Sequence, residues 1–434
     1  MLYSVYEMGH ALSQGWRMSA LGARAWANHP LNPLSSTLVG RSVAASAELV
    51  DRLTKRYDKP AWAIDSTEID GKAVAVTPEV VWESPWVELV HFQRDLPKPR
   101  QTKSKKTETP KVLLVAPLSG HFATLLRGTV EAFLPDAEVY VSDWTDAKLV
   151  PVYEGRFDFH DYVDHVAEMI RQIGPCHVVA VCQPGPPVLA AASVMAEEKA
   201  PLRPLSLTFI GSPMDARRAP TVPNELAASR PFTWFKSNMI HTVPVPYPGA
   251  MRRVYPGFMQ LAAFISMNHD RHMDAHYTYF EHLLEGDDDS AEKHRNFYDE
   301  YLSVLDLTEE FYLQTIDYVF QRHLLPEGQL MHRGRLIDPG AITDMAIMSV
   351  EGERDDIAGV GQCQAVHDLT PNLPQTLKTT LVQPGVGHYG IFTGSKFRRD
   401  VYPKILAHVM GAQTAKDRNA STTPKPKPKT KKAS

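Results

Sequence analysis

The sequence predicts an α/β protein with a mostly parallel central sheet flanked by helices and a helical cap inserted late in the core. Short apolar runs alternate with helical patterns between residues 111 and 211, and strand-like runs return after residue 340. Residues 213–340 break this rhythm and are rich in aromatic residues, Met and His. With 434 residues the chain exceeds what one hydrophobic core usually supports, which leaves room for such a cap.

Apolar runs of strand length define the predicted core. The expected buried strands are Lys111–Pro117, Glu138–Asp143, His177–Val181, Pro204–Gly211, Met345–Val350 and Leu377–Val382. The expected core helices are Asp158–Ile173, Pro187–Glu198 and a helix near Phe397–Met410. Alternating residues from Lys72 to Gln93 predict antiparallel strands with a turn near Ser84-Pro85.

Composition shifts divide the chain into four predicted units. They are an N-terminal helical segment at 1–60, an α/β core at 61–212 and 341–411, a cap at 213–340 and a disordered basic tail at 412–434. A loop should interrupt the first unit at 28–33, and the polar linker Pro97 to Pro110 should be exposed and mobile. The tail carries seven Lys or Arg against one Asp, and its prolines oppose packing.

Charge and cysteine content narrow the class of protein. The net charge of −4 gives no global reason to expect nucleic-acid or membrane binding, so such contact is expected at most through the basic tail. Three cysteines form no disulfide framework and suit a reducing cytosol. The N-terminus lacks a signal-peptide pattern, and the uncharged stretch Val178–Ala196 contains three prolines, so we expect no membrane span.

The segment Ala180-Val181-Cys182-Gln183-Pro184-Gly185 carries the clearest chemical signal. A buried strand runs directly into a potential nucleophile, and a helix begins within a few residues, which is the setting of a nucleophile elbow. The usual pattern is Gly-x-Ser-x-Gly, so Ala180, Cys182 and Pro184 depart from it. A buried structural cysteine is the alternative interpretation of Cys182.

Two later loops supply partners for this cysteine in the chain order of the α/β-hydrolase fold, which is nucleophile, acid, base. Strand Met345–Val350 is followed by a turn full of carboxylates, where Asp355 is the expected acid and Asp356 its main alternative. The last strand is followed by a glycine-flanked loop that presents His388, the expected base. The sequence therefore predicts a Cys-His-Asp triad.

The expected roles follow from these residue types. His388 takes the proton of Cys182, and Asp355 orients and stabilises the imidazolium. Backbone N–H groups of Gln183 and of Ser119, in the turn Leu118-Ser119-Gly120, are the expected oxyanion donors. The chemistry needs no metal, although His269, His272, His276 and His282 cluster in the cap. Without a HExxH pattern we interpret these histidines as a polar face.

At these motifs the sequence resembles the intracellular poly(3-hydroxybutyrate) depolymerases of bacteria. The resemblance is carried in order by PLSGHFATLLRGTV from Pro117, VCQPGPP around Cys182, GSPMDAR from Gly211, GERDDI from Gly352 and GVGHYGIFTGSKFR around His388. It implies an α/β-hydrolase fold, a Cys182-His388-Asp355 triad and hydrolysis of amorphous poly(3-hydroxybutyrate). It also implies a cytoplasmic location at granule surfaces, where granule-associated proteins are further expected partners.

Two other functions stay open at this point. Polyhydroxyalkanoate synthases resemble this chain in fold and triad but work from hydroxyacyl-CoA, and their elbow normally keeps a Gly-x-Cys-x-Gly form. A granule-binding protein that has lost catalysis is the other alternative. The sequence implies no resident cofactor, and it leaves open the oligomeric state and whether water or a thiol such as coenzyme A accepts the acyl group.

Overall fold

A nine-stranded sheet organises the protein in the computed structural model, which describes residues 2–96, 109–267 and 269–422. Its strands lie in the order β1-β2-β3-β5-β4-β6-β7-β13-β14. Their bounds are β1 Ser66–Ile69, β2 Lys72–Ser84, β3 Val87–Arg94, β4 Lys111–Val115, β5 Glu138–Trp144, β6 His177–Val181, β7 Ser206–Ile210, β13 Ala346–Gly352 and β14 Lys378–Gln383. Shorter strands outside this sheet are β8 His241–Thr242, β9 Arg253–Tyr255, β10 Leu307–Thr308, β11 Met331–His332 and β12 Arg335–Leu336.

Helices cover the sheet and build the region between β7 and β13. Those before β7 are α1 Leu2–Ala27, α2 Leu38–Thr54, α3 Arg127–Phe133, α4 Phe159–Ile173 and α5 Gly185–Glu197. Those between β7 and β13 are α6 Val222–Ser229, α7 Phe232–Asn238, α8 Gly257–Met267, α9 His269–Glu285, α10 Asp288–Tyr301 and α11 Glu309–Thr315. The last are α12 Val366–Leu369, α13 Gly394–Lys396 and α14 Tyr402–Thr422.

The six core strands are parallel, and all six correspond to apolar runs in the sequence. β5, β4, β6, β7, β13 and β14 pair in parallel, whereas β1, β2 and β3 add an antiparallel edge next to β5. Every residue of β6, β7 and β13 is buried, as expected where helices cover both faces of a sheet. The predicted α/β-hydrolase fold with a mostly parallel sheet is confirmed. The predicted domain boundaries stay a prediction.

The segment between β7 and β13 adds no strand to the nine-stranded sheet and packs against the N-terminal helices. Arg41 of α2 donates a hydrogen bond from Nη1 to the Leu284 carbonyl at 2.9 Å. Glu48 of α2 is buried and pairs with Arg295 of α10 at 3.0 Å. These contacts join α2 to α9 and α10.

A buried polar network connects α1, the core and the start of α8. Tyr3 Oη donates to Asp306 Oδ2 at 2.7 Å, and the Gly257 N–H donates to Asp306 Oδ1 at 2.8 Å. The Asp306 N–H donates to Asp146, which pairs with Lys148 at 2.7 Å. Burial, followed by the charge of Asp146, raises the pKa of Asp306 to about 7. Asp306 thus links α1, the start of α8 and the segment that contains Asp146, and its protonation depends on pH near neutrality.

The C-terminal region differs from the expected disorder. α14 continues to Thr422, so the segment predicted to be disordered from residue 412 is helical through residue 422. The sequence between Gly411 and Thr422 contains Ala, Gln, Lys and Arg, which favour helix, and prolines appear only from Pro424 onward. Residues 423–434, and residues 97–108 of the predicted linker, lie outside the described residues. Among the helices that are described, none is long and apolar enough to cross a bilayer.

Candidate active site

Cys182 lies at the sharp turn between β6 and α5. Its φ is +67°, a left-handed conformation that costs a residue other than glycine roughly 1–3 kcal/mol. Backbone hydrogen bonds hold this conformation, because the Cys182 N–H donates to the Ile210 carbonyl at 2.7 Å and the Gly185 N–H donates to the Cys182 carbonyl at 3.2 Å. The strain is thus located at the residue expected to act as nucleophile.

Only one of the three cysteines is partly exposed. Cys176 and Cys363 are fully buried, and burial raises the pKa of the Cys176 thiol to about 12 and that of Cys363 further. These two thiols are therefore protonated and inaccessible. Cys182 is half-buried, so the alternative that it is a buried structural cysteine does not describe it.

The close approach of α5 to the neighbouring strand requires a glycine one position later than the usual motif. A Cβ on Gly185 would lie 2.4 Å from Cβ of Ser212. Pro184, which stands at the usual second glycine position, instead precedes the first residue of α5 with φ of −63°. The elbow therefore keeps its steric requirement but moves it to Gly185, which the sequence motif alone did not show.

His388 and Asp355 form a buried pair next to the elbow. His388 Nδ1 lies 2.7 Å from Asp355 Oδ2, and both side chains are almost completely buried. The N–H groups of Ile357 and Ala358 each donate to Asp355 Oδ1 at 2.9 Å. Backbone N–H groups thus hold Oδ1 of the Asp355 carboxylate, and Oδ2 orients the imidazole of His388. Asp356, the alternative acid, is exposed and lines the neighbouring cleft.

His388 also lies near Cys182. Burial lowers the pKa of His388, but the negative charges of Cys182 and Asp355 outweigh it and hold that pKa well above its ordinary value. Gly211 makes room for the ring, since a Cβ there would lie 2.8 Å from His388 Cε1. The structure therefore brings Cys182, His388 and Asp355 together; their catalytic roles stay a prediction.

The expected oxyanion donors flank the elbow. Among the described residues, the backbone N–H groups of Ser119 and Gln183 have no hydrogen-bond acceptor. The Gln183 side chain ties their two loops together, because the Leu118 N–H donates to Gln183 Oε1 at 3.2 Å. Patterns in the sequence gave no indication of this role for the Gln183 side chain.

A second set of contacts attaches the oxyanion loop to the segment between β7 and β13. The Leu305 N–H donates to the Gly120 carbonyl at 2.8 Å, and a Cβ on Gly120 would lie 3.0 Å from Oε1 of the buried Gln260. His121 Nε2 lies 3.1 Å from the Tyr301 carbonyl, and burial lowers the pKa of His121 to about 4. A neutral His121 thus serves as a structural anchor.

A cleft of about 800 Å³ opens beside His388. The walls come from α8, α9 and α10 on one side and from the loops after β13 and β14 on the other. Aromatic side chains supply much of its apolar surface, namely Phe264, Phe297, Tyr298, Tyr301 and Tyr389. Such a volume is typical of small-molecule sites.

Cap histidines lie in and near this cleft. His272 and His294 line it, and His272 Nδ1 lies 2.8 Å from Tyr298 Oη. Burial lowers the pKa of His272 and His276, and lowers that of His294 to about 3. Over the described part of the chain, no three His, Cys, Asp or Glu side chains are grouped so that they could hold a metal ion.

The fold and the elbow define an α/β-hydrolase, and two sequence comparisons specify its relatives. Residues 211–413 match the family model described as PHB de-polymerase C-terminus. The poly(3-hydroxyalkanoate) polymerase subunit PhaC of Haloferax mediterranei is 21% identical over 374 residues, covering 83% of this chain and 68% of that protein. The chain is therefore related to proteins named for polyhydroxyalkanoates. One of these names refers to breakdown of the polymer and the other to its synthesis.

Solved structures are also similar to this chain. A soluble variant of monoglyceride lipase from Saccharomyces cerevisiae is 10% identical with a TM-score of 0.45, covering 80% of this chain and 98% of that one. The 2-hydroxy-6-oxo-6-phenylhexa-2,4-dienoate hydrolase from Rhodococcus sp. strain RHA1 is 12% identical with a TM-score of 0.40, covering 78% and 99%.

Proposed function

We propose that this chain hydrolyses ester bonds of poly(3-hydroxybutyrate) through a thioester on Cys182. One observation supports this most strongly: a half-buried cysteine on a strained turn lies near a histidine that is itself held by a buried aspartate. The elevated pKa of His388 favours an imidazolium beside a thiolate, which is the nucleophilic form of cysteine. The polymer granule surface in the cytoplasm is the proposed place of action.

The proposed reaction has two steps. Cys182 Sγ attacks the ester carbonyl, the N–H groups of Gln183 and Ser119 stabilise the oxyanion, and His388 donates its proton to the leaving alkoxide. The C–O bond breaks and a thioester remains. Water, deprotonated by His388, then attacks the thioester, releases a hydroxybutyrate product and regenerates the thiolate. A thiol such as coenzyme A is an alternative acceptor in the second step.

Synthesis is the second candidate function, and the curated relative favours it. That protein is named a polymerase subunit, which supports acyl transfer from hydroxyacyl-CoA more directly than it supports hydrolysis. The description of the matching family model and the elbow with Ala180 and Pro184 support hydrolysis. Both directions use the same three side chains.

Product analysis separates these functions. Purified protein is incubated with amorphous poly(3-hydroxybutyrate), with and without coenzyme A, and separately with 3-hydroxybutyryl-CoA. Release of hydroxybutyrate or its oligomers supports hydrolysis, and polymer growth with release of coenzyme A supports synthesis. Binding to the polymer without either reaction would contradict both and support a granule-binding protein without catalysis.

A further inference from the structure

The cleft beside His388 carries unbalanced positive charge. Four cations line it, Arg271 and Lys293 from α9 and α10 and Arg354 and Lys396 from the core, against a single carboxylate, Asp356. Apart from His388 of the proposed triad, the histidines of the cleft do not add to this charge, because burial lowers the pKa of His272 and His294. The positive potential therefore comes from groups that stay charged at any physiological pH.

These four cations differ from most exposed arginines of this chain. Arg333 pairs with Asp161 and Asp164, and Arg335 pairs with Glu197 and Glu198. In contrast, within residues 2–96, 109–267 and 269–422 none of the four cleft cations has a carboxylate oxygen within 4.0 Å. Lys396 Nζ instead donates to the Gly385 carbonyl at 3.0 Å, on the loop that carries His388.

The chemistry of the proposed substrate places one anion on this side of the site. When Cys182 attacks an ester carbonyl of the chain, the acyl part stays on sulfur and the leaving part is an alcohol. His388 protonates the leaving oxygen, so this alcohol departs on the His388 side. The leaving part of a hydroxyalkanoate chain ends in a free carboxylate, whereas its methylenes and methyl groups suit aromatic walls.

We propose that the cationic cleft, defined by Arg271, Lys293, Arg354 and Lys396, binds the terminal carboxylate of the hydroxyalkanoate chain on the leaving-group side. This inference rests on the proposed hydrolysis and adds to it. It means that cleavage proceeds near the carboxyl end of a chain and releases short hydroxy acids. A volume of about 800 Å³ accommodates a leaving group of a few hydroxybutyrate units.

The test compares one oligomer with and without its terminal carboxylate, by cleavage of the ester bonds between its hydroxybutyrate units. A 3-hydroxybutyrate trimer is supplied as the free acid and as its terminal methyl ester, and kcat/KM is measured for both. We expect the wild-type protein to prefer the free acid by about tenfold, and the preference to fall toward one in 0.5 M NaCl. In the double variant Arg271→Gln, Lys293→Gln the preference should fall to within about twofold of one.

A matched variant controls for lost charge. Arg171→Gln, Arg399→Gln removes two exposed arginines that pair with Glu168 and Asp400 outside the cleft, and it should keep the acid preference. Equal hydrolysis of acid and ester by the wild-type protein would overturn the carboxylate site while leaving the hydrolase intact. Hydrolysis of neither compound would instead reject the proposed function.

One further outcome would assign the cleft to another anion. A phosphorylated thiol such as coenzyme A shares the requirement for cations. If the Arg271→Gln, Lys293→Gln variant raised the KM for coenzyme A in thiolysis and left the acid preference unchanged, the carboxylate assignment would be wrong. An unchanged KM for coenzyme A with a lost acid preference would support it.

Discussion

At the scale of single residues, Cys182 combines backbone strain with a charged neighbour. Its φ is +67°, and His388 lies near its side chain. The chain order of Cys182, Asp355 and His388 was predictable, because each follows an apolar strand. The choice of Asp355 over Asp356 depends on hydrogen bonds from the Ile357 and Ala358 N–H groups, which no sequence pattern specifies.

Replacing the nucleophile separates chemistry from binding. Cys182→Ala should lower kcat on amorphous poly(3-hydroxybutyrate) by at least about a thousandfold while binding to the polymer persists. Cys182→Ser should retain measurable activity if the elbow and oxyanion donors accept an oxygen nucleophile. Product release is measured by chromatography, and Cys176→Ala serves as the control. Full activity of Cys182→Ala would exclude the mechanism.

The pair of His388 and Asp355 should set the alkaline limit of activity. Because the charges of Cys182 and Asp355 hold the pKa of His388 well above its usual value, the imidazolium persists through neutral pH and is lost only as the pH rises further. Asp355→Asn removes one of these charges, so the alkaline limb should move to lower pH, with kcat reduced roughly 10²–10⁴-fold. The pH profile of kcat/KM tests this, and an unmoved limb would argue against the pairing.

At the scale of elements, the turn between β6 and α5 packs closely only because Gly185 and Gly211 lack a side chain. The bounds predicted for the six parallel strands agree with the structure to within about two residues, because buried parallel strands appear in the sequence as short apolar runs. The start of α5 and the role of Gly185 were not predictable, because they depend on contact with Ser212, a residue on another strand's exit. Similarly, α14 continues beyond the expected end near Met410, because residues 411–422 favour helix and contain no proline.

Gly211 offers a test of this packing. Gly211→Ala adds a Cβ 2.8 Å from His388 Cε1 at a φ of +57°, so we expect the imidazole to shift and kcat to fall about a hundredfold. Gly328→Ala is the matched control, because φ is +65° there and no atom lies within 4 Å of the added Cβ. Equal kcat for both variants would show that His388 does not need the space.

The network around Asp306 should make stability depend on pH. The folded protein holds the Asp306 proton up to about pH 7, whereas the unfolded chain releases it near pH 4. Between these values the folded state binds more protons, so the free energy of unfolding falls as pH rises, by up to about 4 kcal/mol. Asp306→Asn should remove this slope in urea titrations at pH 5 and 8, whereas the exposed Asp95→Asn should keep it. A slope unchanged by Asp306→Asn would contradict the assignment.

At the scale of the whole molecule, the site is assembled from parts that are far apart in sequence. The triad comes from the core, whereas the opposite wall of the cleft comes from α8, α9 and α10, which also contact the N-terminal helices. The sequence predicted the parallel core strands, whereas the limits of the units stay a prediction. It could not predict the cationic cleft, because Arg271 and Arg354 meet only through long-range packing of cap on core.

Detection of an acyl group on Cys182 would test the proposed thioester mechanism directly. Protein mixed with excess hydroxybutyrate trimer is acid-quenched within milliseconds, and peptide mass spectrometry locates any added group. We expect a hydroxyacyl adduct on the peptide containing Cys182, absent in Cys182→Ala and removed by neutral hydroxylamine as a thioester would be. Turnover of the trimer with no adduct at Cys182, and with equal turnover by Cys182→Ala, would contradict it.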